Sequence, residues 1–496
     1  MATEIPMVTA EERDWATAAT RARDISNWDR TTDVLVGGYG GAGVCAAIEV
    51  AEAGVDVLAV ERRESGGGTT ITSGGQLYIG GGTSLQKELG YEDSPEEMLK
   101  YLLAFCGPAA DEEKCRYYCE RSPAHYDWMV EHGVPFRSAF FPPSEGTIPE
   151  GDEGLMYTGS ELGYPYREIA KPAPRGHTAK RPGMNAGLVL MTSLLEAGEK
   201  AGVKVAYNSI IERVVMDEEG RVVGAIVTVD GVEQSVRARR GVLLTTGGFI
   251  HDRGMVERFA PRILGCFPPL GENTEDGSGI RIGMGAGGAV IRMDESSIVM
   301  PFAPPRDLLR GIFFNRLGQR FIAEDLYQCE LGDAVVMHQD GVAYLLLDSE
   351  IGPENSMGAQ VCAKGSLEEI EQALGIPATG LAHTVEQYNR FAAEAEDPLF
   401  HKHPNWLRPL DKPPYKVLDI SLDKCAFPTF TLGGLWTKST GEVMDIEGNV
   451  IPGLYAAGRT SSGFPAAGYN SGMAVADCTF FGRVAGQSAA AAAPAD

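Results

Sequence analysis

The stretch that most narrows what this chain can fold into begins at Asp33. Val34-Leu35-Val36 is a short aliphatic run, and Gly38-Tyr39-Gly40-Gly41-Ala42-Gly43 follows with the spacing Gly-x-Gly-x-x-Gly. Val44 to Ala53 then reads as a helix that Gly54 stops, and Asp56-Val57-Leu58-Ala59-Val60 reads as a second strand ending on Glu61. Strand, turn, helix and strand in that order make one parallel α/β unit. Gly38 permits the tight turn, Gly40 lets a pyrophosphate approach the backbone, and Gly43 lets the helix pack closely on the strand. The free amides at the helix start face the phosphates. Glu61 stands about twenty residues after the glycines, where a carboxylate accepts ribose hydroxyls. A glycine-rich turn in an ordinary α/β unit is the alternative; the helix, the second strand and the acid together favour a dinucleotide.

Other features bound the remaining possibilities. A length of 496 residues suffices for two or three domains. The net charge of −25, from 43 basic and 68 acidic residues, argues against nucleic-acid partners and against docking on anionic lipid. No apolar stretch is long enough for a transmembrane segment. Met1 to Arg30 carries acids and no apolar core of a secretory signal. The nine cysteines are scattered, and Cys115 and Cys119, the closest pair, have no redox, zinc or haem-attachment spacing. Reduced, structural cysteines in a cytoplasmic protein are therefore expected. The eight histidines show no ligand spacing beyond His401-x-His403 in a Pro-rich loop, so no metal is expected.

Along the chain, residues 1–30 read as a helical lead-in. Ser65 to Gln76 and Gly80 to Thr83 are too glycine-rich for a packed element and suit backbone passing against a flat ligand. A flexible surface linker is the alternative, which the threaded Ile71, Leu77, Tyr78 and Ile79 oppose. Residues 94–132 read as helices opened by Ser94-Pro95-Glu96-Glu97. Residues 137–183, rich in Pro, Gly and aromatics, form either a lid over a pocket or a small core of their own. A helix over 185–201 and strands at 203–206, 210–217 and 222–230 follow, then the buried strand Val242-Leu243-Leu244 running into Thr246-Gly247-Gly248-Phe249. The pattern predicts a Rossmann-like α/β domain from 1–271 and 428–496, interrupted by an inserted α+β substrate-capping domain at 272–427, with helices at 366–375 and 382–396. The last helix is expected from Met473 to Ala485, followed by a frayed Ala-rich tail at 489–496.

Taken in order, the glycine clusters resemble those of the fumarate reductase/succinate dehydrogenase flavoprotein superfamily. The matching pieces are Gly38–Gly43 with Glu61, Ser73-Gly74-Gly75, Thr246-Gly247-Gly248-Phe249, Asp276-Gly277, Arg320-Phe321 with Glu324-Asp325, Gly433-Gly434, Tyr455-Ala456-Ala457-Gly458 and the Tyr469–Gly472 turn. The resemblance implies FAD, with its adenosine on the first α/β unit and its flavin between the two domains. It points to Gly38, Gly40, Gly41, Ala42, Gly43, Glu61 and Arg62 at the adenosine end. Thr69, Thr70, Ser73, Gly74, Gly75, Thr246, Gly247, Gly248 and Asp276 follow, then Gly458, Arg459, Ser471, Gly472 and Met473 toward the flavin. The N-terminus of the last helix can stabilise negative charge on the flavin's pyrimidine edge. No flavin-linking histidine occurs in 65–75, so non-covalent FAD is expected.

Departures from that superfamily narrow the substrate. Where the dicarboxylate reductases carry a His-Thr-x-Gly-Gly segment, this chain has Phe430-Thr431-Leu432-Gly433-Gly434. In place of their catalytic arginine it has Tyr327, and in place of the arginine near the final glycine turn it has Ala466, Ala467 and Tyr469. A desolvated carboxylate needs charge-assisted partners, so a small diacid does not suit this chain. The pattern is similar to 3-ketosteroid dehydrogenases, and the Tyr469-x-Ser471-Gly472 turn favours the Δ4-(5α) type. The implied substrate is an apolar ketone of steroid type, and the electron acceptor is undefined. The implied reaction removes a C4 proton and a C5 hydride. Tyr469 is expected to donate to the ketone oxygen, and Tyr327, assisted by Ser471, to accept the proton; Tyr344 and Tyr415 are the alternative tyrosines. Glu324 and Asp325 are expected to hold loops. A Δ1-dehydrogenase and a flavin-dependent reductase of an enone are the competing enzyme readings. A docked electron-transfer subunit is a third, disfavoured by the absence of a haem motif, a linking histidine and a basic patch.

Overall fold

The run at Val34 lies inside the strand Arg30–Gly37, which pairs in parallel with Val57–Val60, Val34 opposite Val57. Val57–Val60 pairs in turn with Lys204–Ala206, also in parallel. These residues are aliphatic and fully or almost fully buried at Val34, Val36, Val57 and Ala59, the pattern of a sheet covered on both faces. The computed structural model describes residues 17–142, 154–181, 186–300, 306–351, 355–356, 359–465 and 468–495.

A nine-stranded sheet grows from this unit. The long strand Val232–Leu244 changes neighbours along its length. Its first half closes an antiparallel meander with Val222–Val229 and Ser209–Met216. Its second half lies parallel to Arg30–Gly37 on one side and to Val450–Ala456 on the other. The chain therefore returns to the first sheet at Val450–Ala456.

The helix Gly41–Glu52 lies against the final helix, Met473–Ala491. Gly482 and Gly486, one turn apart, sit on the backbones of Ala42 and Ala46, so close that a Cβ at either would collide with a carbonyl oxygen. Small residues on both helices thus permit the close crossing that brings the final helix's N-terminus to the glycine loop. That helix continues past the expected end. Ala489 and Ala490 are buried, and Arg240 donates to the carbonyls of Ala490 and Ala492 at 2.6 and 2.7 Å. The expected fraying of the tail is corrected by this clamp.

Residues 1–16 lie outside the described part of the chain. Residues 17–30 do not form the expected helix: Thr20–Arg21 is a strand paired with Val215–Met216, followed by a short 3₁₀ turn at Ala22–Asp24. The glycine-rich stretch after Glu61 is also more ordered than its composition suggests, with a short helix at Gly68–Thr72 and a strand at Gln76–Tyr78. Of the 137–183 excursion, 143–153 and 182–183 lie outside the described residues. The remainder joins a four-stranded sheet in which Gln76–Tyr78 pairs with Gly176–Thr178, and that strand with Leu155–Met156. Its aromatics pack on helices: Tyr166 contacts Tyr101 and Phe105 of the helix Pro95–Cys106.

A second unit is built on a five-stranded sheet of Ile312–Phe314, Tyr344–Leu347, Tyr415–Asp419, Ala359–Gly365 and Asn355–Ser356. The helices Gln328–His338, Leu367–Leu374 and Gly380–Ala393 accompany it. Leu367–Leu374 opens with reciprocal bonds between Ser366 and Glu369, a capping box. Phe249 to Ile263 contribute to the core of this second unit, while Ile282 and Ala286 belong to the core of the large sheet.

Candidate active site

One cavity of about 470 Å³ runs along the glycine loop to the start of the final helix. Gly38, Gly40, Gly41, Ala42, Glu61 and Arg62 line one end; Thr69, Thr70, Ser73, Gly74 and Gly75 line its wall. Thr246, Gly247, Gly458, Arg459, Tyr469, Ser471 and Gly472 complete it. The structure thus gathers most of the residues singled out from sequence, drawn from segments more than 400 positions apart.

Five candidates stand behind the wall. Gly43 underlies the loop, where a Cβ would collide with the Gly38 carbonyl oxygen. Asp276 accepts from Arg62 at 3.0 Å. Burial raises its pKa, but Arg62 and the Ser278 bonds outweigh that and hold it below the usual carboxylate range. Gly248 abuts the Thr431 hydroxyl, and Met473 is buried in the first turn of the final helix. Tyr327 reaches the cavity through Ser471.

At the first end, the Glu61 carboxylate accepts the Tyr39 amide at 2.8 Å and the Arg63 amide at 3.0 Å. Each oxygen retains acceptor capacity for a hydroxyl. Glu275, the residue before Asp276 and not among those singled out from sequence, also lines the cavity. Thr69 donates to Glu275 Oε1 at 2.6 Å, and Arg459 forms an ion pair with the same oxygen. Glu275 Oε2 and Arg459 Nη1 are buried without a protein partner. Only the loop conformation decides which of two consecutive acids faces the cavity, so no sequence signal separates them.

At the other end the lining turns apolar, with Leu270, Val299, Pro428 and Phe430 beside Gln76, Gln328 and Tyr469. Tyr327 is the N-cap of the helix Gln328–His338, and its amide donates to Ser160 Oγ at 2.8 Å. Ser471 precedes the final helix, its amide donating to the Thr158 carbonyl at 3.1 Å, and Gly472 caps that helix with φ of 93°. Two helix starts thereby converge, and the Tyr327 and Ser471 hydroxyls are hydrogen-bonded to each other. Gln328 Nε2 donates to the Tyr327 hydroxyl at 3.3 Å. Burial pushes the Tyr327 phenol above its usual pKa, against the opposing bonds from Ser471 and Gln328. Tyr469 is likewise raised by burial; the Ala474 amide donates to its oxygen at 3.4 Å, leaving the phenol proton available. Phe430 meets Tyr469 edge-on at 5.0 Å.

The competing tyrosines lie elsewhere: Tyr344 sits in the second sheet and Tyr415 donates to the Leu410 carbonyl. Glu324 holds loops, accepting from Arg320 at 2.7 and 2.9 Å and from the Phe313 amide at 2.9 Å. Asp325 accepts the His403 amide at 2.8 Å. Ala466 and Ala467 lie outside the described residues. Among the described residues at the apolar end, the nearby cation is Arg459, already paired with Glu275. A dicarboxylate would need more than that.

Residues 33–475 match the family described as FAD binding domain. The chain belongs to that family. The crystal structure of 3-ketosteroid Δ4-(5α)-dehydrogenase from Rhodococcus jostii RHA1, in complex with 4-androstene-3,17-dione, is similar at 42% identity and a TM-score of 0.90, covering 95% of this chain and 99% of that one. The 3-oxo-5-alpha-steroid 4-dehydrogenase of Comamonas testosteroni is 27% identical over 88% of this chain and 94% of its own length. A 3-ketosteroid Δ1-dehydrogenase from Sterolibacterium denitrificans, at 22% identity and a TM-score of 0.70, covering 93% of this chain and all of that one, shares the fold. The flavoprotein thus groups with the 3-ketosteroid dehydrogenases of Δ4-(5α) type within the fumarate reductase superfamily, and FAD is its cofactor. The cavity fits that group: glycine amides where a pyrophosphate needs them, an acid at the ribose end, and Glu275 and Arg459 among its lining, each with a buried polar atom left without a protein partner. No helix among the described residues is long and apolar enough to cross a membrane.

Proposed function

We propose that the protein is an FAD-dependent 3-ketosteroid dehydrogenase that introduces a C4–C5 double bond into 5α-3-ketosteroids. The observation that carries this reading is the Tyr327–Ser471 hydroxyl pair, joined at an apolar cavity end beside Tyr469. FAD, when bound, supplies the two-electron oxidant that accepts the C5 hydrogen as hydride. The protein's own task is the C4 proton and the charge that its loss places on the ketone oxygen. Tyr469 donates its phenol proton in a hydrogen bond to that oxygen, a donor fixed in advance where charge develops. The C4 proton enters the Tyr327–Ser471 relay at Ser471, the member that lines the cavity, and moves on through Tyr327 as each hydroxyl gives up its own proton, the last one leaving to solvent. This exchange removes the difficulty of a phenol acting as base, because a buried neutral phenol never has to ionise first.

Other parts of the reading rest on the same support. Gly38 to Gly43, Glu61 and Arg62 hold the adenosine half, the Thr69–Gly75 wall and Gly458–Arg459 the middle, and Ser471–Met473 the flavin edge. FAD is held without a covalent bond. The division into an FAD-binding domain, 1–271 and 428–496, and a substrate domain, 272–427, is supported by the two separate sheets. Anaerobic addition of 5α-androstane-3,17-dione to the purified yellow protein tests the function: the visible flavin band bleaches if the steroid is oxidised. A band that stays intact with the steroid, but is restored after reduction by adding an enone, favours the reductase reading instead.

A further inference from the structure

The Tyr327 and Ser471 hydroxyls stand on two different helices, and they meet only if both helix starts are held in place. One short segment, Thr158-Gly159-Ser160, holds both, and the chemistry above does not use it. At its first residue the Thr158 carbonyl accepts the Ser471 amide at 3.1 Å. At its last, Ser160 Oγ accepts the Tyr327 amide at 2.8 Å and donates to Glu330 Oε2. The Ser160 amide donates to the Tyr101 hydroxyl at 3.0 Å, and Asn470, adjacent to Ser471, donates to the same oxygen at 2.7 Å. Between the two anchors Gly159 packs on the Asn470 side chain so closely that a Cβ there would collide with it. Thr158, Ser160, Tyr101, Asn470 and Tyr327 are all buried.

Tyr327 needs that anchor because of where it sits. Serine, threonine, aspartate and asparagine cap a helix start with their own side chains. Tyr327 occupies the cap position of Gln328–His338 and makes no such bond, its hydroxyl being turned to Ser471. The usual remedy is an acid three residues on that reaches back to the cap amide. Glu330 is that acid, and the Tyr327 amide stabilises its carboxylate. Ser160 is bonded into the same box from a distant segment. The other Glu330 oxygen accepts from the Tyr166 hydroxyl at 2.6 Å, which fixes the carboxylate. The single Ser160 proton then points at Glu330, and its lone pairs face the Tyr327 amide. We propose that Ser160 is a positioning residue for the reaction: its hydroxyl, aimed by Glu330, sets where the Tyr327 phenol stands against Ser471. The inference rests on the dehydrogenase reading. Ser160 is not among the residues that line the cavity, and it acts through Tyr327. A proton crosses between two hydroxyls only at hydrogen-bond distance, and a displacement of about 1 Å costs up to about 100-fold in rate. A serine that merely satisfied its neighbours would affect stability and leave the rate alone.

The test is a double-mutant cycle on the anaerobic rate of flavin reduction by 5α-androstane-3,17-dione. Its members are Ser160→Ala, Ser160→Cys, Tyr327→Phe and each Ser160 variant combined with Tyr327→Phe. Ser160→Cys fills the site that Ser160→Ala empties and offers only a weak acceptor, so it decides the question if the alanine variant fails to fold. With Tyr327 present, both Ser160 variants slow reduction about 10–100-fold and bind steroid with unchanged affinity. Tyr327→Phe keeps the amide that Ser160 holds and lacks the hydroxyl being positioned, so in that background the Ser160 variants slow reduction no further. Wild-type rates in the Ser160 variants overturn the proposal. So does a slowing that adds in full to that of Tyr327→Phe. A wild-type protein that the steroid does not bleach overturns the dehydrogenase reading and this inference with it; bleaching of the wild type keeps the two failures apart.

Discussion

Tyr327→Phe removes one hydroxyl and leaves the ring in place. That hydroxyl has two partners, Ser471 and Gln328 Nε2 at 3.3 Å, in a side chain 6% exposed. Leaving buried partners unmatched costs folding about 1–3 kcal/mol, which a large flavoprotein tolerates. The effect on rate is larger if the hydroxyl carries the C4 proton: a positioned acid–base group contributes about 10²–10⁴-fold, or about 3–5 kcal/mol of barrier. The assay is rapid mixing of oxidised protein with 5α-androstane-3,17-dione under anaerobic conditions, following the flavin band. The variant should be yellow, bind the steroid with near wild-type affinity and reduce about 100-fold or more slowly. Deuterium at C4 should slow it further, because proton removal then limits the step. A variant that reduces at the wild-type rate would refute Tyr327 as acceptor, whatever its stability.

Tyr469→Phe removes the donor to the ketone oxygen and should lower kcat/KM about 10²–10³-fold, measured with an artificial electron acceptor in steady state. Gly43→Ala places a methyl against the Gly38 carbonyl oxygen and, at 2.8 Å, the Thr245 hydroxyl; it should purify with little or no FAD, read from the ratio of visible to ultraviolet absorbance. Glu330 has a folded pKa raised by burial from 4.5 to about 7. Its contribution to stability is therefore fully present below 4.5 and lost as pH rises through about 7. Glu330→Gln should flatten the loss, gaining about 3 kcal/mol on wild type in alkaline solution relative to acid, as followed by denaturant unfolding across pH.

What the sequence made legible follows from the range over which each constraint acts. The glycine loop, its helix and Glu61 were readable because the backbone approach to a pyrophosphate is dictated by consecutive residues. Gly43 is glycine for a reason five residues away, in the Gly38 carbonyl. Tyr327 and Tyr469 stood out as departures from positions that hold charge in dicarboxylate reductases, and Ser471 through the Tyr469-x-Ser471-Gly472 turn, although the bond between Tyr327 and Ser471 is a property of the fold. The strand Thr20–Arg21 was missed because two residues have no period, and its partner lies at Val215–Met216. The end of the last helix was missed because Ala-rich tails fray unless something clamps them, and Arg240 is far away in sequence. Glu275 was invisible for a related reason. Burial and partnership of a single polar atom are set by side chains from four or five separate segments, and no local pattern records them.

The position of the new double bond tests the central claim most directly. Purified protein would be given 5α-androstane-3,17-dione bearing deuterium at C5, with an artificial electron acceptor, and the product identified by mass spectrometry and proton magnetic resonance. The account predicts 4-androstene-3,17-dione that has lost the C5 deuterium. A product unsaturated at C1–C2 that retains the C5 deuterium would contradict it.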